Sequence, residues 1–323
     1  MRVALVGLVA VFALAWSDDE ARPLHQHVRG ASLGLFATDP DYDYGTMLAE
    51  MRGRGASDVL LVHRLMQRDV RADAPALVDG SSPRMATIER TIHQARALGL
   101  RVGLMPIVGL ERRAPGEWRG RLDPRDLDEW FRVYGAHVGE LAQLAERTGA
   151  TRLVVGSELN DLERHADRWR GLAAEVRAEF AGELVYSANW DRYRAVPFWD
   201  AVDTVGVSAY FRVDGSEGAR AAWTRRLEEL RAFAGRRVLL TEVGYPAHAE
   251  AARYPWDETR DAPRDQALQA ELLGAFCEAY ETRPGAGYYV WNWFGVGGPR
   301  DATYALRGKP AAARFEGCME GDR

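Results

Sequence analysis

Eight short, strongly apolar runs alternate along this chain with stretches whose apolar residues recur at helical spacing, and that alternation narrows the fold more than any other feature. The runs are Ala31 to Phe36, Asp58 to His63, Arg101 to Ile107, Arg152 to Ser157, Glu183 to Ser187, Thr204 to Ala209, Arg237 to Thr241 and Gly287 to Trp293. Between them lie amphipathic segments such as Ser82 to Leu98, Leu127 to Thr148, His165 to Phe180, Ala219 to Ala234 and Arg264 to Tyr280. Strands that are apolar throughout and separated by helices form parallel βα units, because only a parallel sheet covered by helices buries both strand faces. Eight such units in 323 residues fit a single (β/α)8 barrel of the α/β class, a fold of about 250 residues or more. An open doubly wound sheet is disfavoured, since no glycine-rich phosphate loop follows the first run. Gly99, Gly149, Gly182 and Gly235 punctuate helix ends, and Asp123-Pro124 marks a helix start.

Two of the runs close on a glutamate. Glu158 ends Leu153-Val154-Val155-Gly156-Ser157-Glu158, and Glu242 ends Val238-Leu239-Leu240-Thr241-Glu242. In a barrel of this kind the C-terminal strand ends carry the chemistry, and strands four and seven face each other across the mouth. Two carboxyl groups about 5–5.5 Å apart suit glycoside hydrolysis with retention, one attacking the anomeric carbon while the other protonates the leaving oxygen. Two ordinary strand-end acids paired with arginines are the plain alternative.

The net charge of −5 and a pI near 5.9 supply no field for nucleic acid, which is therefore not an expected partner. The seven histidines lack metal-ligand spacing, and no nucleophile elbow appears, so neither a metal, another cofactor nor esterase chemistry is expected. Met1-Arg2, an apolar run from Val3 to Trp16 and a small-x-small site at Ala13-Leu14-Ala15 have the form of a secretory signal peptide. The division expected is a leader over residues 1–16, a lead-in over 17–30 and one catalytic domain over 31–323. The protein is then exported, to the periplasm or outside the cell, with no stable membrane span once processed and with membrane association if the leader is kept. Cys277 and Cys318, the only cysteines, either bridge or stand as two thiols. Nothing in the sequence speaks to oligomeric state.

Several segments together resemble glycoside hydrolase family 113, whose characterised members are largely retaining β-mannanases of clan A. They are Gly116-Glu117-Trp118-Arg119-Gly120, Trp130-Phe131-Arg132-Val133-Tyr134, Gly156-Ser157-Glu158-Leu159, Tyr186-Ser187-Ala188-Asn189-Trp190-Asp191, Gly206-Val207-Ser208-Ala209-Tyr210-Phe211, Thr241-Glu242-Val243-Gly244-Tyr245, Trp291-Asn292-Trp293 and Gly308-Lys309-Pro310-Ala311. The resemblance implies an acid/base at Glu158, protonated at rest, and a nucleophile at Glu242. Its substrate is an oligo- or polysaccharide, most closely β-1,4-mannan. Two segments depart from the family pattern: Met105-Pro106-Ile107-Val108 has no histidine after the proline, and Asp301 to Arg307 lacks a proline-glutamine pair. Both border the sugar subsites, so another β-linked glycan, or a barrel that binds glycans without cleaving them, stands beside the mannan reading.

Around the two glutamates, a phenol at Tyr210 is placed to donate to Glu242 and keep it ionised. Asn189, Trp190 and Asp191 end strand five and suit sugar hydroxyls and faces. Trp291 and Trp293, two apart on strand eight, are expected to point to one side, inward, as a subsite floor. Trp118, Arg119, Tyr245 and Gln67 complete the expected substrate-binding set. Each has a plain alternative as core packing or loop anchoring, and Lys309, the only lysine, carries only a weak hint of function.

Overall fold

A computed structural model describes residues 27–234 and 238–320 of the chain; the expected leader, and Gly235, lie outside the described residues. The eight strands are β1 (Val28–Gly34), β2 (Asp58–Gln67), β3 (Arg101–Leu110), β4 (Arg152–Ser157), β5 (Glu183–Asn189), β6 (Thr204–Ser208), β7 (Val238–Val243) and β8 (Gly287–Val290). They pair in sequence order, all parallel, and β8 closes on β1. The chain is thus a single closed (β/α)8 barrel. Its helices are α1 (Gly45–Gly53), α2 (Met85–Ala97), α3 (Leu127–Thr148), α4 (Ala166–Glu179), α5 (Ala219–Ala234), α6 (Gln266–Thr282) and α7 (Pro310–Glu320). Between β5 and β6 two short 3-10 turns, Tyr193–Ala195 and Trp199–Ala201, take the place of a helix.

The local punctuation follows the sequence with small shifts. Gly149 caps α3 at φ 70° and Gly99 takes φ 77°, left-handed backbone that a side chain would strain; Gly182 has no positive φ. The N-cap of helix α3 lies three residues beyond Asp123, at Asp126, which accepts a hydrogen bond from the Glu129 N–H at 3.0 Å and so satisfies one of the helix's open donors. β1 begins at Val28, inside the expected lead-in.

Apolar side chains fill two shells. Leu60, Val62, Met105, Ile107, Val154, Val185, Leu239 and Tyr289 pack inside the cylinder, while the other strand faces meet the helices around Trp130, Trp169, Trp223 and Phe276. A polar layer closes the N-terminal end: Arg152 pairs with Glu183 at 2.6 Å and donates to the Tyr289 hydroxyl at 2.7 Å, and Arg101 pairs with Asp58 at 2.6 Å. The opposite end is left for the site. Cys277 of α6 and Cys318 of α7 form a disulfide with Cα atoms 5.5 Å apart, resolving the choice between a bridge and two thiols.

Candidate active site

Two of the strands that lead to the mouth carry an extra residue near their C-terminal ends: β4 between Val154 and Ser157 against β5, and β7 after Leu240 against both β6 and β8. An extra residue in one strand turns the side chains that follow, which is how such irregularities re-aim groups at active sites. In β7, Leu239 packs inside and Leu240 and Val243 pack outside. The Thr241 hydroxyl meets Ser187 at 2.6 Å in an interior layer that continues to Ser208 at 3.1 Å. Strict alternation would send Glu242 outward with Leu240. The irregularity instead brings its carboxyl to Tyr210, whose hydroxyl donates to Oε2 at 2.8 Å.

Glu158 follows the last residue of β4 at φ 54°, the one positive φ of a non-glycine residue among those described. Its N–H is held by the Ser187 carbonyl at 2.8 Å, and the next N–H, that of Leu159, donates to the Tyr186 hydroxyl at 3.3 Å. Tyr186 in turn donates to the buried Glu163 at 3.0 Å. Gly156 cannot be larger, because a Cβ there would lie 2.9 Å from the Tyr186 ring and 3.0 Å from Trp169. The Glu158 carboxylate is paired with Arg119, which reaches in from a short 3-10 turn after β3. That turn is fixed to the β4 side by a bond from the Asp161 N–H to the Gly120 carbonyl at 3.1 Å.

The two carboxyl groups feel each other. Burial first, and then the charge of Glu158, push Glu242 up to about 7, against Arg119, Tyr210 and the neighbouring Ser157 hydroxyl, which pull it down. Burial works against the Arg119 charge, yet Glu158 and then Glu242 outweigh it and hold the guanidinium protonated. The pair therefore gives up its last proton near pH 7. The resemblance gave the protonated role to Glu158. The upward push acts on Glu242, which is buried beside Glu158 with the Tyr210 hydroxyl as its donor, while Arg119 bonds directly to Glu158.

The remaining expected binding residues divide. Trp118 is half-buried beside Arg119, whose guanidinium carbon is 6.0 Å from its ring centre. Asn189, half-buried at the end of β5, has an Oδ1 with no protein partner, and Asp191 is exposed at the rim. Trp190 is half-buried and stacks on Trp256. Trp291 packs with the interior cluster, 6.2 Å from Phe36.

Three expectations fail. Trp293 does not share a side with Trp291: β8 ends at Val290, so period-two alternation stops short. Trp293 is instead buried against Phe315 of α7 and donates to Glu50 at 3.0 Å. Tyr245 points into the helix shell, where its hydroxyl takes the Trp223 indole N–H at 2.5 Å. Gln67 is consumed by the loop it starts, donating to the Asp69 carbonyl at 2.7 Å and accepting from Trp130 at 3.0 Å. Lys309 likewise ties its own loop, to the Thr303 carbonyl at 2.7 Å and Asp301 at 3.1 Å. Conversely, sequence reasoning passed over Ser157, Tyr304 and Trp256. The aromatic run Tyr254-Pro255-Trp256 in the long connection after β7 was the available signal for the last.

Among the described residues there is no cluster of side chains suited to a metal ion, and no helix is long and apolar enough to cross a membrane. The model of glycoside hydrolase family 113 matches residues 36–305. Among solved structures, a GH113 β-1,4-mannanase aligns with a TM-score of 0.83 at 23% identity, covering 92% of this chain and 100% of the other. The GH113 β-mannanase AaManA from Alicyclobacillus acidocaldarius, in complex with ManMIm, aligns with a TM-score of 0.79 at 27% identity, covering 91% and 97%. The endo-β-1,4-mannanase from Thermotoga petrophila aligns with a TM-score of 0.63 at 12% identity, covering 92% and 77%, a likeness of fold alone. No curated protein matches the chain.

Proposed function

The chain belongs to glycoside hydrolase family 113, and from that premise we propose that it cleaves β-1,4-linked mannan or manno-oligosaccharides with retention, through a nucleophile at Glu242 and an acid/base at Glu158. The observation that carries the assignment is the convergence of these two buried carboxyl groups, one on Tyr210 and the other on Arg119, within reach of each other's charge. A pair that holds one proton and one negative charge has the stoichiometry that double displacement needs.

In the first step the Glu242 carboxylate attacks the anomeric carbon, the bond from that carbon to the leaving oxygen breaks, and the Glu158 proton passes to that oxygen. In the second, the Glu158 carboxylate takes a proton from water, the water oxygen attacks the same carbon, and the ester to Glu242 breaks. Tyr210 supports the charge on Glu242, and Glu158 supplies the pair's proton once its bond to Arg119 gives way to the leaving oxygen. Trp118, Asn189, Trp190, Asp191 and Trp291 are assigned to sugar contact, and Arg119 to both that wall and the proton's placement. The mannan assignment is supported by the GH113 β-mannanases that the fold matches. Export is supported by the Cys277–Cys318 bridge, since disulfides persist in oxidising compartments.

The test is to incubate the protein with mannan, glucan, chitosan and peptidoglycan oligomers, reading products by mass and the first-formed anomer by proton NMR. Manno-oligosaccharide products released first as the β-anomer are expected. Release of the α-anomer first would refute retention, and turnover of a different glycan alone would replace the substrate assignment. Glu242→Gln is expected to abolish turnover while retaining oligosaccharide affinity, and near-normal activity in that variant would remove Glu242 from its role.

A further inference from the structure

Large apolar side chains that stay exposed on a folded protein need a reason, and among the described residues there are three: Tyr42, Trp256 at 43% exposure, and Val296. All three stand in connections that leave the C-terminal ends of strands, after β1, β7 and β8 respectively, on the rim that surrounds Glu158 and Glu242. Trp256 is the one built to hold still. Its ring stacks on Trp190 with centroids 5.3 Å apart and planes 19° from parallel, and Tyr254 meets it edge-on at 5.9 Å. The carbonyl of the preceding Pro255 accepts the Tyr304 hydroxyl at 2.5 Å, and the Tyr304 ring lies 5.8 Å from that of Tyr210, the donor to Glu242. The loop that carries the exposed indole is thus pinned to the catalytic centre itself.

We propose that Trp256, backed by Trp190, is an outlying sugar platform that holds a pyranose of the leaving-group segment beyond the bond being cut. The inference rests on the hydrolase reading given above and extends it to longer chains. A pyranose offers one flat face of C–H groups, and a rigid, half-exposed indole accepts that face without first giving up conformational freedom. Direction follows from the chemistry: the leaving oxygen takes its proton from Glu158 at the end of β4, so the departing segment lies on that side. Trp190 extends from β5, the strand paired with β4, and Asp191 next to it is exposed and free to accept a sugar hydroxyl.

The test compares kcat/KM across a series of manno-oligosaccharides from three to six sugars for the unaltered protein, Trp256→Ala and Trp256→Tyr. The ratio of hexaose to triose efficiency is expected to fall about tenfold in Trp256→Ala, through KM, the size of one good aromatic contact. Trp256→Tyr is expected to restore most of it. The ring is exposed enough for both variants to fold, and thermal melts confirm that they have. An unchanged ratio in Trp256→Ala would overturn the platform. Failure of the unaltered protein to cleave any oligomer of the series would overturn the mannan reading instead, and the same length series in the glycan it does cleave would then decide the platform.

Discussion

Tyr210→Phe removes one hydrogen bond, from the tyrosine hydroxyl to Glu242 Oε2 at 2.8 Å, and leaves the ring and its contact with Tyr304 in place. A hydrogen bond to a charged group contributes about 1.5–3 kcal/mol, more than one to a neutral group. The hydroxyl supports Glu242 as a carboxylate, the form the proposed attack needs, and supports its protonated form less. Without it, the arrangement with the proton on Glu158 and the charge on Glu242 becomes rarer by that energy, so kcat/KM is expected to fall by about 10- to 150-fold. The pH profile gives a second readout. Activity requires the pair to keep one proton, so the alkaline limb of kcat/KM marks the loss of that proton, near pH 7 in the unaltered protein. Loss of the donor makes the doubly ionised pair less stable, so the last proton is held more tightly. The limb then moves upward by about 1–2 units, at 1.36 kcal/mol per unit. The assay is initial rates on a manno-oligosaccharide from pH 4 to 10 for both proteins. A variant within about threefold of the parent, with its alkaline limb unmoved, would refute the claim that this bond sets the charge on Glu242.

Three further outcomes concern the frame of the barrel. Glu183→Gln leaves the buried Arg152 without its counter-charge and is expected to destabilise the protein by about 3–5 kcal/mol in urea titration, while a loss below about 1 kcal/mol would show that Tyr289 and Asp58 suffice. Cys277→Ser opens a bridge spanning 41 residues and is expected to cost about 4 kcal/mol by the chain-entropy relation, read as a lower Tm that reductant no longer changes. The buried His63 and His137 rings meet at 2.9 Å; burial lowers His63 well below 6.5, and burial lowers His137 to about 4. The unfolded chain takes up these protons near pH 6.5, whereas the folded one takes up that of His137 only near pH 4 and that of His63 well below 6.5. The stability they contribute is therefore present above pH 6.5 and lost as pH falls toward 4. His137→Gln is expected to flatten that part of the stability curve, and an unchanged acid slope would place its origin elsewhere.

Both the barrel and its principal pair of acids were legible in the sequence, because each depends on local pattern. Apolar runs separated by amphipathic helices leave little choice but parallel βα units. Glu158 and Glu242 stood out because a carboxylate at the end of a buried strand is costly unless it faces an opening. Tyr210, two residues past the end of β6, was reached from its place next to the Glu242 strand and not from periodicity. Trp293, Tyr245 and Gln67 were misplaced because they lie at or past a strand's last ladder bond, where period two no longer fixes direction. Their donors and acceptors had already been taken by Glu50, Trp223 and Trp130, residues distant in the chain.

What the sequence determined by itself was the order of elements and which strands would end on a buried acid, since hydrophobic periodicity is a property of neighbouring residues. Only the tertiary structure decided which way those ends face. The extra residue of β7 shows only in its pairing with β6 and β8, and it turns Glu242 from the outward face its own strand would give it toward the mouth. The same holds for the proton: two carboxyl groups far apart in the chain share it because folding buries them together and brings Arg119 to one of them.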